Sequence, residues 1–186
     1  MTMRLVMLEQ ARSSVAFGVD HFLQEYPGVF LLAVGLVSAE PALTPGGLAR
    51  NATQELHTVD LDDTFSMGSG ERLIHSLHDH PLAGCAFFIP RTDPSPKTAG
   101  RKTECDLVIP DVSVSDRHCE LRLMGGEMLV TDLSSTNGTM VNLQRLEPQV
   151  ATPIEDEAIL TVGRYSFQFF EAHSLYAAMQ LLEQSR

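Results

Sequence analysis

Residues 100–142 read GRKTECDLVIPDVSVSDRHCELRLMGGEMLVTDLSSTNGTMVN, and this stretch decides the fold. Short β-branched and aliphatic runs alternate with turn residues every few positions. Asp106 to Ile109 is a strand, and Pro110-Asp111 turns the chain. Cys119–Leu123 and Glu127–Leu133 flank Met124-Gly125-Gly126, the pattern of a β-hairpin. Asn137-Gly138 is a second turn, because both residues tolerate positive φ.

The same reading extends outward. Ala86–Ile89 is a strand, and residues 91–99, RTDPSPKTA, read as a polar loop with two prolines. Ile159–Val162 and Tyr165–Phe169 flank Gly163-Arg164, a third hairpin. Tyr165, Phe167 and Phe169 alternate with Ser166 and Gln168, which predicts one core face and one wet face. Many short strands joined by tight turns predict a mainly β domain, a sandwich of two twisted sheets.

Five signals occur in order: Gly100-Arg101, Asp111, Ser115-Asp116-Arg117-His118, Ser135-Thr136-Asn137-Gly138-Thr139 and Val141-Asn142. Together they resemble the forkhead-associated (FHA) domain, a β-sandwich whose apical loops bind phosphothreonine peptides. The resemblance covers residues 82–171 and suits a bacterial protein with one such module. It implies a phosphopeptide site at Arg101, Ser115, Asp116, Arg117, Thr136 and Asn137, with Gly100, His118, Gly138 and Asn142 shaping the loops.

The residue types suit that chemistry. A phosphate dianion needs a fixed cation and donors held in place before it arrives. Arg101 offers a planar, permanently charged fork. Ser115 and Thr136 offer hydroxyls, and the Asn137 amide can grip a peptide main chain. In the family His118 ties down the loop that carries the serine. Each position also has a plainer reading, as a solvated arginine, turn-forming hydroxyls and a satisfied structural histidine. Two departures stand out. The family usually has Arg, Lys or Asn after the loop serine, where this chain has Asp116, whose carboxylate would repel phosphate. Gly commonly follows the asparagine of the later turn, where this chain has Leu143.

The remaining segments divide the chain into an α/β N-terminal extension over 1–81, the sandwich over 82–171 and a C-terminal helix over 172–186. Apolar spacing predicts a helix within 5–25, weakened at Gly18 and ended by Pro27-Gly28. Val29–Val37 is a continuous apolar run that fits a buried strand or a short buried helix. Residues 38–52 read as loop, 55–61 as a weak strand and 71–77 as a short helix. Leu175, Met179 and Leu182 give the C-terminal helix an apolar face. Both end segments should pack on the sandwich or on each other, away from the loops.

Composition narrows the function classes. The net charge is −11, which disfavours nucleic acid and anionic membrane surfaces as partners. Cys85, Cys105 and Cys119 are odd in number and widely spaced, as free buried thiols in a reducing, cytoplasmic compartment would be. No apolar stretch approaches the ~20 residues of a membrane helix. His75, His78 and His80 lie close together but lack a matching set of partners, so no metal and no cofactor is expected. No Walker loop, Gly-x-Ser-x-Gly or kinase signature is present, which argues against an enzyme. Two functions fit. One is a phosphothreonine-dependent adaptor in serine/threonine kinase signalling, with a threonine-phosphorylated protein, a kinase or its substrate, as partner. The other is a scaffold that keeps the fold and binds without phosphate.

Overall fold

The computed structural model describes residues 4–36, 82 and 85–184. The expected loop, strand and helix between 38 and 77, and the histidine cluster, lie outside the described residues.

Among the described residues, twelve strands form two sheets. They are β1 (Arg4–Met7), β2 (Gly28–Leu36), β3 (Cys85–Pro90), β4 (Lys97–Gly100), β5 (Leu107–Val108), β6 (Cys119–Met124), β7 (Glu127–Asp132), β8 (Thr139–Val141), β9 (Gln144–Arg145), β10 (Thr152–Ile154), β11 (Ile159–Val162) and β12 (Tyr165–Glu171). Three helices among the described residues, α1 (Leu8–Val15), α2 (Val19–Glu25) and α3 (Ala172–Gln184), accompany them. The seven-stranded sheet runs β1-β3-β2-β12-β11-β8-β9, and the five-stranded sheet runs β10-β7-β6-β4-β5.

Turn chemistry explains the hairpins. Gly125 and Gly126, at φ 65° and 93°, close a two-residue turn with Met124 paired to Glu127. Gly163, at φ 61°, does the same between Val162 and Tyr165.

The seven-stranded sheet is buried on both faces at its centre. Along β2, Val29, Leu31 and Ala33 face the other sheet, while Phe30, Leu32 and Val34 face the helices. That is why Val29 onward reads as an unbroken apolar run: a strand covered on both sides has no wet face. The second layer is largely aromatic. Phe22 from α2, Tyr26 just after it, Tyr176 from α3, and Phe30 and Phe88 from the sheet form a chain of neighbouring rings with centroids 5.0–6.3 Å apart. Burying rings of this size supplies roughly 1.5–3 kcal/mol each.

Several expectations need correction. The segment 5–25 is not one helix. Its first residues pair with β3 as β1, and Gly18 at φ 94° separates α1 from α2. Residues 91–99 are not all loop, because β4 begins at Lys97. The Lys97 ammonium is buried yet satisfied by Asp93 at 2.8 Å and Ser95 Oγ at 2.6 Å, so a polar-looking segment carries a core strand. The second face of β12 is not wet beyond Ser166, since Gln168 and Phe170 are buried. The helices that cover Phe170 come from both ends of the chain. Strands β1 and β2 also carry the seven-stranded sheet across residue 81, joining the N-terminal segment to the sandwich by hydrogen bonds.

Candidate functional site

Three loops meet at one end of the sandwich: 101–106 after β4, 109–118 before β6, and 133–138 before β8. Backbone bonds join the first two. Arg101 N–H donates to Ser115 O at 2.9 Å and Lys102 N–H to Asp116 O at 3.2 Å. Gly100 makes this approach possible, because a Cβ there would stand 2.3 Å from the Asp116 carbonyl oxygen.

His118 joins the second loop to the third from a fully buried position. Its Nδ1 accepts the Ser115 N–H at 3.0 Å, which places the ring proton on Nε2, 3.1 Å from the Gly138 carbonyl that accepts it. Burial pulls the imidazole below its ordinary pKa, against the opposing effects of the Gly138 bond and the Asp132 charge. Asp132 is itself buried. It accepts from the hydroxyls of Ser135 and Thr139, each at 2.6 Å, and from Ser135 N–H at 3.1 Å. Burial pushes its carboxyl up, but these bonds and the neighbouring imidazole hold it below the usual carboxylate range.

Asp111 anchors the middle loop to the β11–β12 turn. It accepts from Arg164, from the Tyr165 hydroxyl at 3.3 Å and from Ser113 N–H at 2.8 Å. Ser113 Oγ in turn accepts Arg164 N–H at 3.1 Å.

On this scaffold the predicted side chains gather. Ser115 Oγ accepts Thr136 N–H at 3.0 Å and lies 3.4 Å from Thr136 Oγ1, so the two hydroxyls stand side by side at the surface. Asn137 Nδ2 donates to Ser113 O at 2.7 Å and braces the loop. Arg101 Nη2 pairs with Asp116 Oδ1 at 2.7 Å, and Lys102 Nζ approaches Asp116 Oδ2 at 3.3 Å. Asp116 therefore sits between two cations, Arg101 among them. Arg117 is exposed and makes no ion pair among the described residues. Asn142 lies farther along, in the β8–β9 turn, where its Oδ1 accepts Ile159 N–H at 2.9 Å.

One residue escaped the sequence reading. Arg145 on β9 pairs with Met140 and lays its guanidinium against Gly138: a Cβ on that glycine would meet Arg145 Nε at 2.6 Å. The signal was present in Asn142-Leu143, a two-residue turn that folds β9 back along β8.

Residues 97–163 match the family model of the FHA domain. The chain carries an FHA domain. Beyond the family model, it is 38% identical over 89 residues to the oxoglutarate dehydrogenase inhibitor of Corynebacterium glutamicum, covering 48% of this chain and 58% of that protein. It is 43% identical over 89 residues to the glycogen accumulation regulator GarA of Mycolicibacterium smegmatis, covering 48% and 52%. This chain thus spans about half the length of these curated relatives. A solved FHA domain, from work on phosphothreonine-dependent FHA domain interactions, is 26% identical with a TM-score of 0.44 and covers 50% of this chain and 90% of that one.

Proposed function

We propose that this protein is a phosphothreonine-peptide-binding adaptor in serine/threonine kinase signalling and performs no catalysis. The observation that carries this reading is the convergence of Arg101, Ser115 and Thr136 at one exposed end, on loops fixed by His118, Asp111 and Asp132. The loops are held before any ligand arrives, so little ordering entropy opposes binding. Arg101 supplies charge to the phosphate, Ser115 and Thr136 supply hydroxyl or N–H donors, and Asn137 positions the peptide backbone. The partner is a threonine-phosphorylated protein, a kinase or its substrate. The relatives' names, an inhibitor and a regulator, support a role in controlling other proteins. Cys85, Cys105 and Cys119 are buried and form no disulfide with one another, which supports a reducing, cytoplasmic compartment.

The Asp116–Arg101 pair favours a second reading, in which the loop end binds a partner without phosphate. A phosphothreonine peptide library with unphosphorylated controls separates the two. Retention of phosphorylated peptides alone, abolished by Arg101→Ala, supports the first reading; equal retention of both sets supports the second.

A further inference from the structure

The loop end gathers cations in a chain of net charge −11, beside the carboxylates of Glu104, Asp106, Asp111 and Asp116. It carries Arg101, Lys102, Arg117, Arg145 and Arg164. Asp116 neutralises Arg101 and Lys102, and Asp111 neutralises Arg164. Arg117 stands on the Gly100 side, where its charge is felt by the Cys105 thiol. Arg145 is exposed and has no ion pair among the described residues.

Local structure puts that guanidinium in a defined place. Asn142 and Leu143, at φ 48° and 68°, close the β8–β9 turn, and Leu146 N–H donates back to Thr139 O at 2.9 Å. Arg145 is thereby set opposite Met140 and reaches back over the Asn137-Gly138 turn. Gly138 makes room in two ways, through its φ of 81° and through its missing Cβ, which would stand 2.6 Å from Arg145 Cζ.

Resting on the phosphothreonine reading, we infer that Arg145 is a specificity-determining residue, which selects ligands with an anionic side chain close in sequence to the phosphothreonine. An extended peptide rises about 3.3 Å per residue. A side chain one to three residues from the phosphothreonine, on the Gly138 side, therefore comes within reach of the Arg145 fork. A carboxylate or a second phosphate meets that fork with bidentate geometry. A lysine at the same position would stand against an uncompensated positive charge.

The test uses the full chain and an array of phosphothreonine peptides. Each flanking position is set in turn to Asp, phosphoserine, Ala or Lys, with unphosphorylated counterparts. For the natural protein, Asp or phosphoserine at one flanking position should raise affinity about twofold to fivefold over Ala, as an exposed charge pair does. The Asp and phosphoserine arms separate the two sources of negative charge. Arg145→Ala should abolish that preference while phosphate dependence persists, and Arg145→Glu should invert it in favour of Lys. Phosphate-dependent binding indifferent to flanking charge, or an acidic preference that survives Arg145→Ala, overturns the assignment of Arg145 alone. Retention that ignores phosphate overturns the phosphothreonine reading and this inference with it.

Discussion

Asp116 and Arg101, fifteen positions apart in sequence, are ion-paired at 2.7 Å across two loops, each side chain 49% exposed. The second carboxylate oxygen stands 3.3 Å from Lys102 Nζ. An anion that takes Arg101 Nη2 displaces the first contact, while the second gives Asp116 a partner to keep.

The first prediction follows from that competition. Asp116→Asn should tighten binding of a phosphothreonine peptide by up to about 1 kcal/mol, the ceiling for a half-exposed pair screened by solvent. The gain should be larger at low salt than at high salt. Arg101→Ala should weaken binding by about 2 kcal/mol, because it removes the permanent charge on which the phosphate relies. Fluorescence polarisation at two salt concentrations measures both. If Asp116→Asn changes nothing at either concentration, the carboxylate does not compete for Arg101.

The second prediction concerns pH. The folded-state pKa of His118 lies below its ordinary value, so the unfolded chain takes up the proton first as pH falls. The stability due to neutral His118 is complete above about pH 6.5 and is lost as pH falls toward the depressed value, by at most about 1.4 kcal/mol per pH unit. Protonating Nδ1 also breaks its bond to the Ser115 N–H. The Tm difference between the natural protein and His118→Gln should therefore shrink between pH 7.5 and pH 5.5. A constant difference would show that folding leaves the pKa of His118 where it is in the unfolded chain.

The third prediction tests the β8–β9 turn. Leu143 holds φ 68° with an exposed side chain, a left-handed backbone that glycine adopts without the Cβ penalty. Leu143→Gly should raise stability by about 0.5–1 kcal/mol, the relief of strain less the extra unfolded-state entropy of glycine. Chemical denaturation at constant m-value reads this directly. A loss of stability would mean that the leucine side chain holds the turn.

The sandwich was legible in the sequence where local chemistry dictates it. Gly125-Gly126 and Gly163-Arg164 mark turns whatever lies around them, while the apolar run from Val29 marked a buried element and left strand or short helix open. Other features depend on distant segments. Lys97 reads as loop because its burial requires Asp93 and Ser95 to fold back on it. Phe170 is covered by helices that lie outside the strand pattern altogether, and Gln168 is buried where its amide meets the Glu157 carbonyl. Strands of two or three residues, such as β9 and β10, are too short to show a period, whereas β5 was legible from the aliphatic run before Pro110. At the loop end, Arg101, Ser115, Thr136 and Asn137 were legible because they fall in a recurrent order. The Asp116–Arg101 pair and the position of Arg145 follow from loop and hairpin geometry that spacing does not reveal.

The last prediction concerns where the folding unit begins. Strand β2 lies between β3 and β12 and hydrogen-bonds to both, while β1 covers the outer edge of β3. A fragment starting at residue 82 lacks both strands and both N-terminal helices. It would leave β3 with no partner strand on either side and β12 with one open edge, a template for aggregation. It would also strip Phe30, Phe22 and Tyr26 from the aromatic layer and expose Phe88 and Phe170 to water. Such a fragment should be insoluble or lack a cooperative unfolding transition. Phe30→Ala in the full chain is the gentler probe. Truncating a fully buried Phe should cost about 3–5 kcal/mol. The loop end stands on the other sheet's strands, on β8 and on the β11–β12 turn, at the opposite end of β12 from the Phe30–Phe170 pair, so a Phe30→Ala protein that is still folded should bind phosphothreonine peptide as the natural protein does. A soluble, cooperatively folding fragment 82–186 would place the boundary of the folding unit at residue 82, with β2 dispensable.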